Sequence, residues 1–163
     1  MDGLRTRKGL LLLQQLPLWR QENPYILGSY RPLTGSYSEC LRSLAQLHNE
    51  TMNVYTHLLG LGFFIISAYT FAYSLYASFQ TATYEDAIVF SSFFFGLFTC
   101  LISSAGFHTF LDHSKRIYDR WLLIDFLGIL SLIAGSWVPG VYYGFYCQRQ
   151  IVRFYLTMVR PSS

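Results

Sequence analysis

Three long apolar stretches dominate the chain, and its charges lie between them. No Asp, Glu, Lys or Arg occurs between Glu50 and Glu85, between Asp86 and Asp112, or between Asp125 and Arg149. Crossing a bilayer core takes ~20 mainly apolar residues of helix. The pattern therefore predicts spanning helices over about 57–78, 87–110 and 121–141. A buried helix of a soluble protein could imitate one such stretch, but three in succession, joined by short charged loops, argue against that reading. Ahead of them, Ser36-Tyr-Ser-Glu39 has the pattern of a capping box, followed by Leu41, Leu44, Ala45 and Leu47 at helical spacing. This predicts an amphipathic helix, lying on the membrane face or packed on neighbouring loops. Pro17, Pro24 and Pro32 interrupt residues 1–35, which read as an N-terminal tail and lead-in; residues 36–163 form the membrane part. After the third span, Ile151-Val-Arg-Phe-Tyr-Leu-Thr-Met-Val-Arg160-Pro-Ser-Ser163 reads as a fourth span cut short as it begins.

Composition agrees with the pattern. Charged residues are 13% of the 163, about half the usual share of roughly 25%, and too few to cover a soluble domain. The expected class is an all-α membrane protein. Arg5, Arg7, Lys8, Arg20, Arg31 and Arg42 precede the first span, the first loop carries only Glu85 and Asp86, and the second holds Lys115, Arg116 and Arg120. The positive-inside rule then places the N-terminus and second loop in the cytosol and the first loop outside or in a lumen, with Arg149 and Arg153 against the trend. Leu10–Leu13 is too short for the core of a signal sequence, so the first span is expected to serve as the targeting signal. Cys40, Cys100 and Cys147 fall at different depths and should be free thiols. Tyr69, Tyr73, Tyr76, Tyr142, Tyr143 and Tyr146 read as interfacial anchors or lipid-facing bulk. No Gly-rich phosphate loop, Cys-x-x-Cys or basic-aromatic pattern is present, and no nucleic-acid partner is expected.

Ionisable groups at membrane depth need a reason, because a mid-span Asp costs about 2.5 to 3.5 kcal/mol to insert. Glu50, Asn53 and His57 are spaced three and four apart and form one stripe on the helix entering the membrane. Ser104 and His108 share a face of the second span, near its end; Asp125 lies near the start of the third. An up-and-down topology therefore brings all of them to one side of the membrane. His and Asp can ligate zinc and a serine hydroxyl can orient water; equally, such groups can hydrogen-bond to each other and hold helices together. His48 and His113, among polar loop residues, read as solvated.

Asn23-Pro24-Tyr-Ile-Leu-Gly28-Ser-Tyr30-Arg31-Pro32, with His48-Asn-Glu50-Thr-Met-Asn53-Val-Tyr-Thr56-His57, resembles the opening motif of the progestin and adipoQ receptor family. That family includes adiponectin receptors, membrane progestin receptors and haemolysin III proteins. Ser104-Ser-Ala-Gly-Phe-His108 and the following Asp125 match its second motif, and the resemblance covers about residues 22–160. The wording of the first motif is most similar to the fungal branch. The resemblance implies part of a seven-helix bundle, with three complete spans and the start of a fourth. It also implies a zinc ion near the cytosolic side, with His108 a ligand, Asp125 in contact through water and Ser104 a neighbour. The family's remaining zinc ligands are two histidines of the seventh helix, beyond the end of this sequence. The implied function is a role in lipid and zinc homeostasis or signalling. The parent would be a ceramidase-like zinc hydrolase with Asp125 and Ser104 at the reaction, acting on ceramide or another acyl-amide lipid of the membrane. Alternatively it would be a non-enzymatic receptor with a structural zinc. On either view the chain by itself is expected to be inactive, and unstable unless it pairs with another copy or another chain.

Overall fold

The structure, a computed structural model, describes residues 9–78 and 82–158, apart from the side chains of Tyr76 and Ser78. Arg5, Arg7, Lys8 and the last residues of the expected fourth span lie outside the described residues. Five α-helices follow in order: α1 (Tyr37–Arg42), α2 (Thr51–Ser78), α3 (Tyr84–Phe110), α4 (Lys115–Gly144) and α5 (Arg149–Met158). Among the described residues there is no strand beyond an isolated antiparallel bridge between Leu11 and Tyr30.

Helices α2, α3 and α4 are each long and apolar enough to cross a membrane. All three begin earlier than the apolar windows suggested, because polar residues also sustain helix. Thr83 and Asp86 form a reciprocal cap on α3. The Thr83 amide donates to Asp86 Oδ2 at 2.8 Å, and the Asp86 amide donates to Thr83 Oγ1 at 3.3 Å. The first turn of α4 carries an i,i+4 pair between Lys115 and Asp119. Outward-facing side chains such as Phe63, Ile66, Phe95 and Leu130 are more than half exposed. A soluble protein would not leave so continuous an apolar surface to water, whereas lipid is its natural solvent.

The chain divides into two compact units, residues 1–59 with 103–125, and residues 60–102 with 126–163. In the first, the lead-in proves to be folded structure rather than a tail. Leu11 and Tyr30 exchange backbone hydrogen bonds at 2.7 and 3.1 Å, and Leu10, Leu16 and Tyr30 are buried. Trp19 meets Tyr118 edge-on and joins Trp121 and Leu122 around Phe107, Leu111 and Tyr118. The amphipathic helix expected after Ser36 is only six residues long before it tightens into a 3-10 turn at Ser43–Ala45. Its capping box is half formed. The Ser36 hydroxyl accepts from the Glu39 amide, but the Glu39 carboxylate turns to Arg42 at 2.6 Å instead of returning to Ser36.

The second unit depends on close approach of α3 and α4. A Cβ on Gly96 would lie 2.5 Å from the Ser131 carbonyl oxygen, and one on Gly135 would lie 2.5 Å from that of Ser92. Pro139, inside α4, has no N–H to offer the Gly135 carbonyl one turn earlier. The Ser92 hydroxyl compensates, lying 3.3 Å from Gly135 O and 2.7 Å from Val89 O. The small residues and the proline thus belong to one joint. α5, at the place of the expected fourth span, sets Tyr155 against Phe145 and Trp137, with ring centroids 5.4 and 6.1 Å apart. Gly96→Val or Gly135→Val should cost about 1–3 kcal/mol by forcing the helices apart. Gly62→Ala, whose Cβ would meet nothing within 4 Å, should not destabilise. Thermal unfolding of the three variants in detergent checks this.

Candidate functional site

The lead-in is bound to the end of α3 by one buried carboxylate. Asp112 accepts from Arg20 at 2.7 and 3.1 Å on Oδ1, and pairs with Arg31 Nε at 2.8 Å on Oδ2. All three side chains are at most 4% exposed. Burial pushes the Asp112 carboxyl up, and the two guanidinium charges oppose it. The rest of the Arg31 fork closes the helix terminus. Its Nη2 donates to the His108 carbonyl at 2.7 Å, and its Nη1 donates to the Thr109 carbonyl at 3.2 Å and to Ser43 Oγ at 2.8 Å. The last carbonyls of a helix lack partners within it and sit at the negative end of the dipole, so a cation there satisfies both needs. Neither arginine was marked by the sequence as more than a topological charge. The available signal was Asp112 itself, one residue past an apolar span.

The same terminus presents His108 to the start of α2. Its Nδ1 lies 2.8 Å from Glu50 Oε2. Glu50 is further held by Asn53 Nδ2 at 2.8 Å and Asn49 Nδ2 at 2.7 Å. Burial raises the Glu50 pKa, but hydrogen bonds from His108 and Asn53 and the nearby positive charges outweigh it and leave it below the usual carboxylate value. His57 stacks on His108 with centroids 6.0 Å apart and planes at 22°, and its Nδ1 lies 2.6 Å from the Asn53 carbonyl oxygen. The stripe Glu50–Asn53–His57 and His108 therefore form one connected group.

The other two predicted residues make no side-chain hydrogen bond to this group. Ser104 is buried one turn before His108 on α3. Asp125 is half-buried on α4. Neither side chain hydrogen-bonds to the His108 ring, and among the described residues the Asp125 carboxylate has no hydrogen bond or ion pair. His48 departs from expectation, being buried rather than solvated. The Glu50 amide donates to its Nδ1 at 3.1 Å, which puts the neutral ring's proton on Nε2. His113 lies half-buried, its ring centroid 4.5 Å from that of Tyr37. Cys40, Cys100 and Cys147 carry no disulfide.

The donors suit zinc in kind, since imidazole nitrogen with carboxylate support is its common environment. They do not complete a site by themselves. Among the described residues no three His, Cys, Asp or Glu side chains are grouped so as to hold an ion.

Residues 45–161 match the family described as haemolysin-III related. The chain belongs to that family. It is 39% identical over 154 residues to progestin and adipoQ receptor-like protein 1 of Caenorhabditis elegans, covering 94% of this chain and 35% of the relative. It is 40% identical over 146 residues to the adiponectin receptor protein of Drosophila melanogaster, with 90% and 32% covered. The ADIPOR-like receptor IZH2 of Saccharomyces cerevisiae is 40% identical over 133 residues, with 81% and 41% covered. The chain thus spans about a third to two-fifths of the length of these relatives.

Burial lowers the pKa of His48 to about 4, helped by the Arg31 charge and opposed by Glu50. A ring whose folded pKa lies below its unfolded value of about 6.5 contributes stability that is complete above that value and is lost as pH falls toward 4. The depressed Glu50 pKa acts in the same direction at lower pH. Acidifying from about pH 7 to about pH 5 should therefore destabilise the family member by ~1–2 kcal/mol. His48→Asn keeps an acceptor for the Glu50 amide and should flatten that part of the profile. Thermal unfolding against pH checks both.

Proposed function

We propose that the whole protein is a zinc-dependent membrane amidohydrolase that acts on ceramide or a similar acyl-amide lipid. The observation that carries the reading is the pairing of His108 Nδ1 with the Glu50 carboxylate, which leaves the far ring nitrogen of a half-buried imidazole as a free electron-pair donor. Asp125 supports it as a carboxylate on a spanning helix with no protein partner among the described residues. Zinc bound there would polarise an amide carbonyl and lower the pKa of its water toward ~7.

The chain's own residues have separable tasks. His108 supplies one ligand nitrogen. Glu50 orients its ring and balances charge. Asp125 would hold a water and accept its proton, and Ser104 would orient the same water or the carbonyl oxygen. The N-terminus and the loop between α3 and α4 face the cytosol in this reading, because the basic residues of the first and second segments gather there.

A second reading is a receptor or regulator with a structural zinc, and the receptor names of the relatives favour it. A catalytic site keeps one position open to water, whereas a structural site is closed. Ceramide turnover by the whole protein, measured with and without a chelator, separates them. The proposal expects turnover that is lost with zinc and falls at least ~10²-fold in Asp125→Asn. Zinc retention without turnover would favour the receptor. Purified alone in detergent, the 163-residue chain should hold well under one zinc after dialysis against a mild chelator, because one firm nitrogen donor cannot retain the ion. Elemental analysis gives the answer.

A further inference from the structure

We infer that Glu50 is the positioning residue that fixes the tautomer of His108, so that Nδ1 carries the proton and Nε2 carries the lone pair. The inference deepens the proposed function and rests on its assignment of His108 as a ligand. A neutral imidazole has one N–H and one acceptor nitrogen, and the partner of the first decides which is which. Glu50 Oε2 lies 2.8 Å from Nδ1, and both oxygens of this carboxyl group accept from asparagine amides, Oε1 from Asn49 and Oε2 from Asn53, so it faces the ring as an acceptor. Nδ1 must therefore donate.

The carboxylate is itself prevented from turning away. Asn49 Nδ2 holds Oε1, Asn53 Nδ2 holds Oε2, and the Glu50 amide is tied to His48 Nδ1. The helix that carries the imidazole is held equally firmly, since Arg31 grips the His108 carbonyl while pairing with Asp112. Both the ring and its partner are thus anchored by groups outside the pair. His57 reaches the same state by another route. A carbonyl oxygen also only accepts, so the 2.6 Å contact to Asn53 O puts the proton of a neutral ring on Nδ1. The two stacked rings therefore share one tautomer, but only that of His108 depends on Glu50.

That difference supplies the test. The chain would be labelled with ¹⁵N-histidine, placed in lipid nanodiscs at a pH where the imidazoles are neutral, and its ring nitrogens observed by NMR. The wild-type chain should show His108 protonated on Nδ1. In Glu50→Ala the His108 signal should move to the Nε2–H form that prevails in free imidazole side chains, while His57 keeps its Nδ1–H signal and reports that α2 is intact. Glu50→Gln, which retains a carbonyl acceptor, should restore part of the Nδ1–H population. A wild-type His108 protonated on Nε2 overturns the inference without reference to any variant, as does an unchanged His108 signal in Glu50→Ala with His57 intact. Should Glu50→Ala disturb both rings, the wild-type and Glu50→Gln spectra still decide. None of these outcomes involves metal or turnover, so the hydrolase reading stands or falls on its own assay.

Discussion

A carboxylate removed from water must be paired, and Asp112 is removed almost completely. An unpaired charge at such a place costs several kcal/mol, and breaking a buried pair commonly costs ~3–5 kcal/mol. Asp112 satisfies the requirement with Arg20 and Arg31, both from the lead-in, and so ties some thirty residues of irregular chain to the end of α3. Two backbone bonds, Thr34 N to Asp112 O and Gly35 N to His113 O, follow the same path. The end of α3 is also where His108 lies. The constraint that makes the lead-in fold is therefore the one that sets the imidazole at its height.

A chain of dependence runs from there. Arg31 fixes the His108 carbonyl, the ring meets Glu50, and Glu50 is secured by the asparagines on either side of it. In the proposed function this contact has a further use, because a carboxylate behind a metal-bound histidine sets the ring's orientation and basicity. The chain of dependence explains why the opening motif of the sequence and the polar stripe of α2 belong together although the first lies outside the membrane. Every other carboxylate among the described residues has a side-chain partner, and Asp125, on α4, is the exception. That exception is what gives Asp125 a chemical part in the proposed reaction.

Much of the architecture was legible in the sequence. Three charge-free stretches gave three spans, since lipid demands continuous apolar helix and little else produces it. Their early starts were not legible, because caps such as Thr83–Asp86 extend helix through polar residues that a hydropathy window discards. Glu50, His57 and His108 were read as converging, and the structure brings their side chains together, whereas the bond between Glu50 and His108 depends on helix rotation, which spacing alone does not define. The folded lead-in was hidden by its prolines and by its arginines, whose sign suggested topology and whose burial depends on Asp112 ninety-two positions after Arg20. His48 looked solvated for the same reason, since its burial comes from the lead-in packed beside it.

The Asp112 ion triad holds the lead-in in place. Hydrogen exchange at the amides of Leu11 and Tyr30, which bond to each other far from Asp112 in sequence, measures this most directly. Both amides should be protected in the wild-type chain in nanodiscs. In Asp112→Asn their exchange should accelerate by at least ~10-fold, as the loss of a buried charge partner implies, with the amides in the middle of α3 unchanged. Protection at Leu11 and Tyr30 that survives the substitution intact would show that the lead-in is held without the triad.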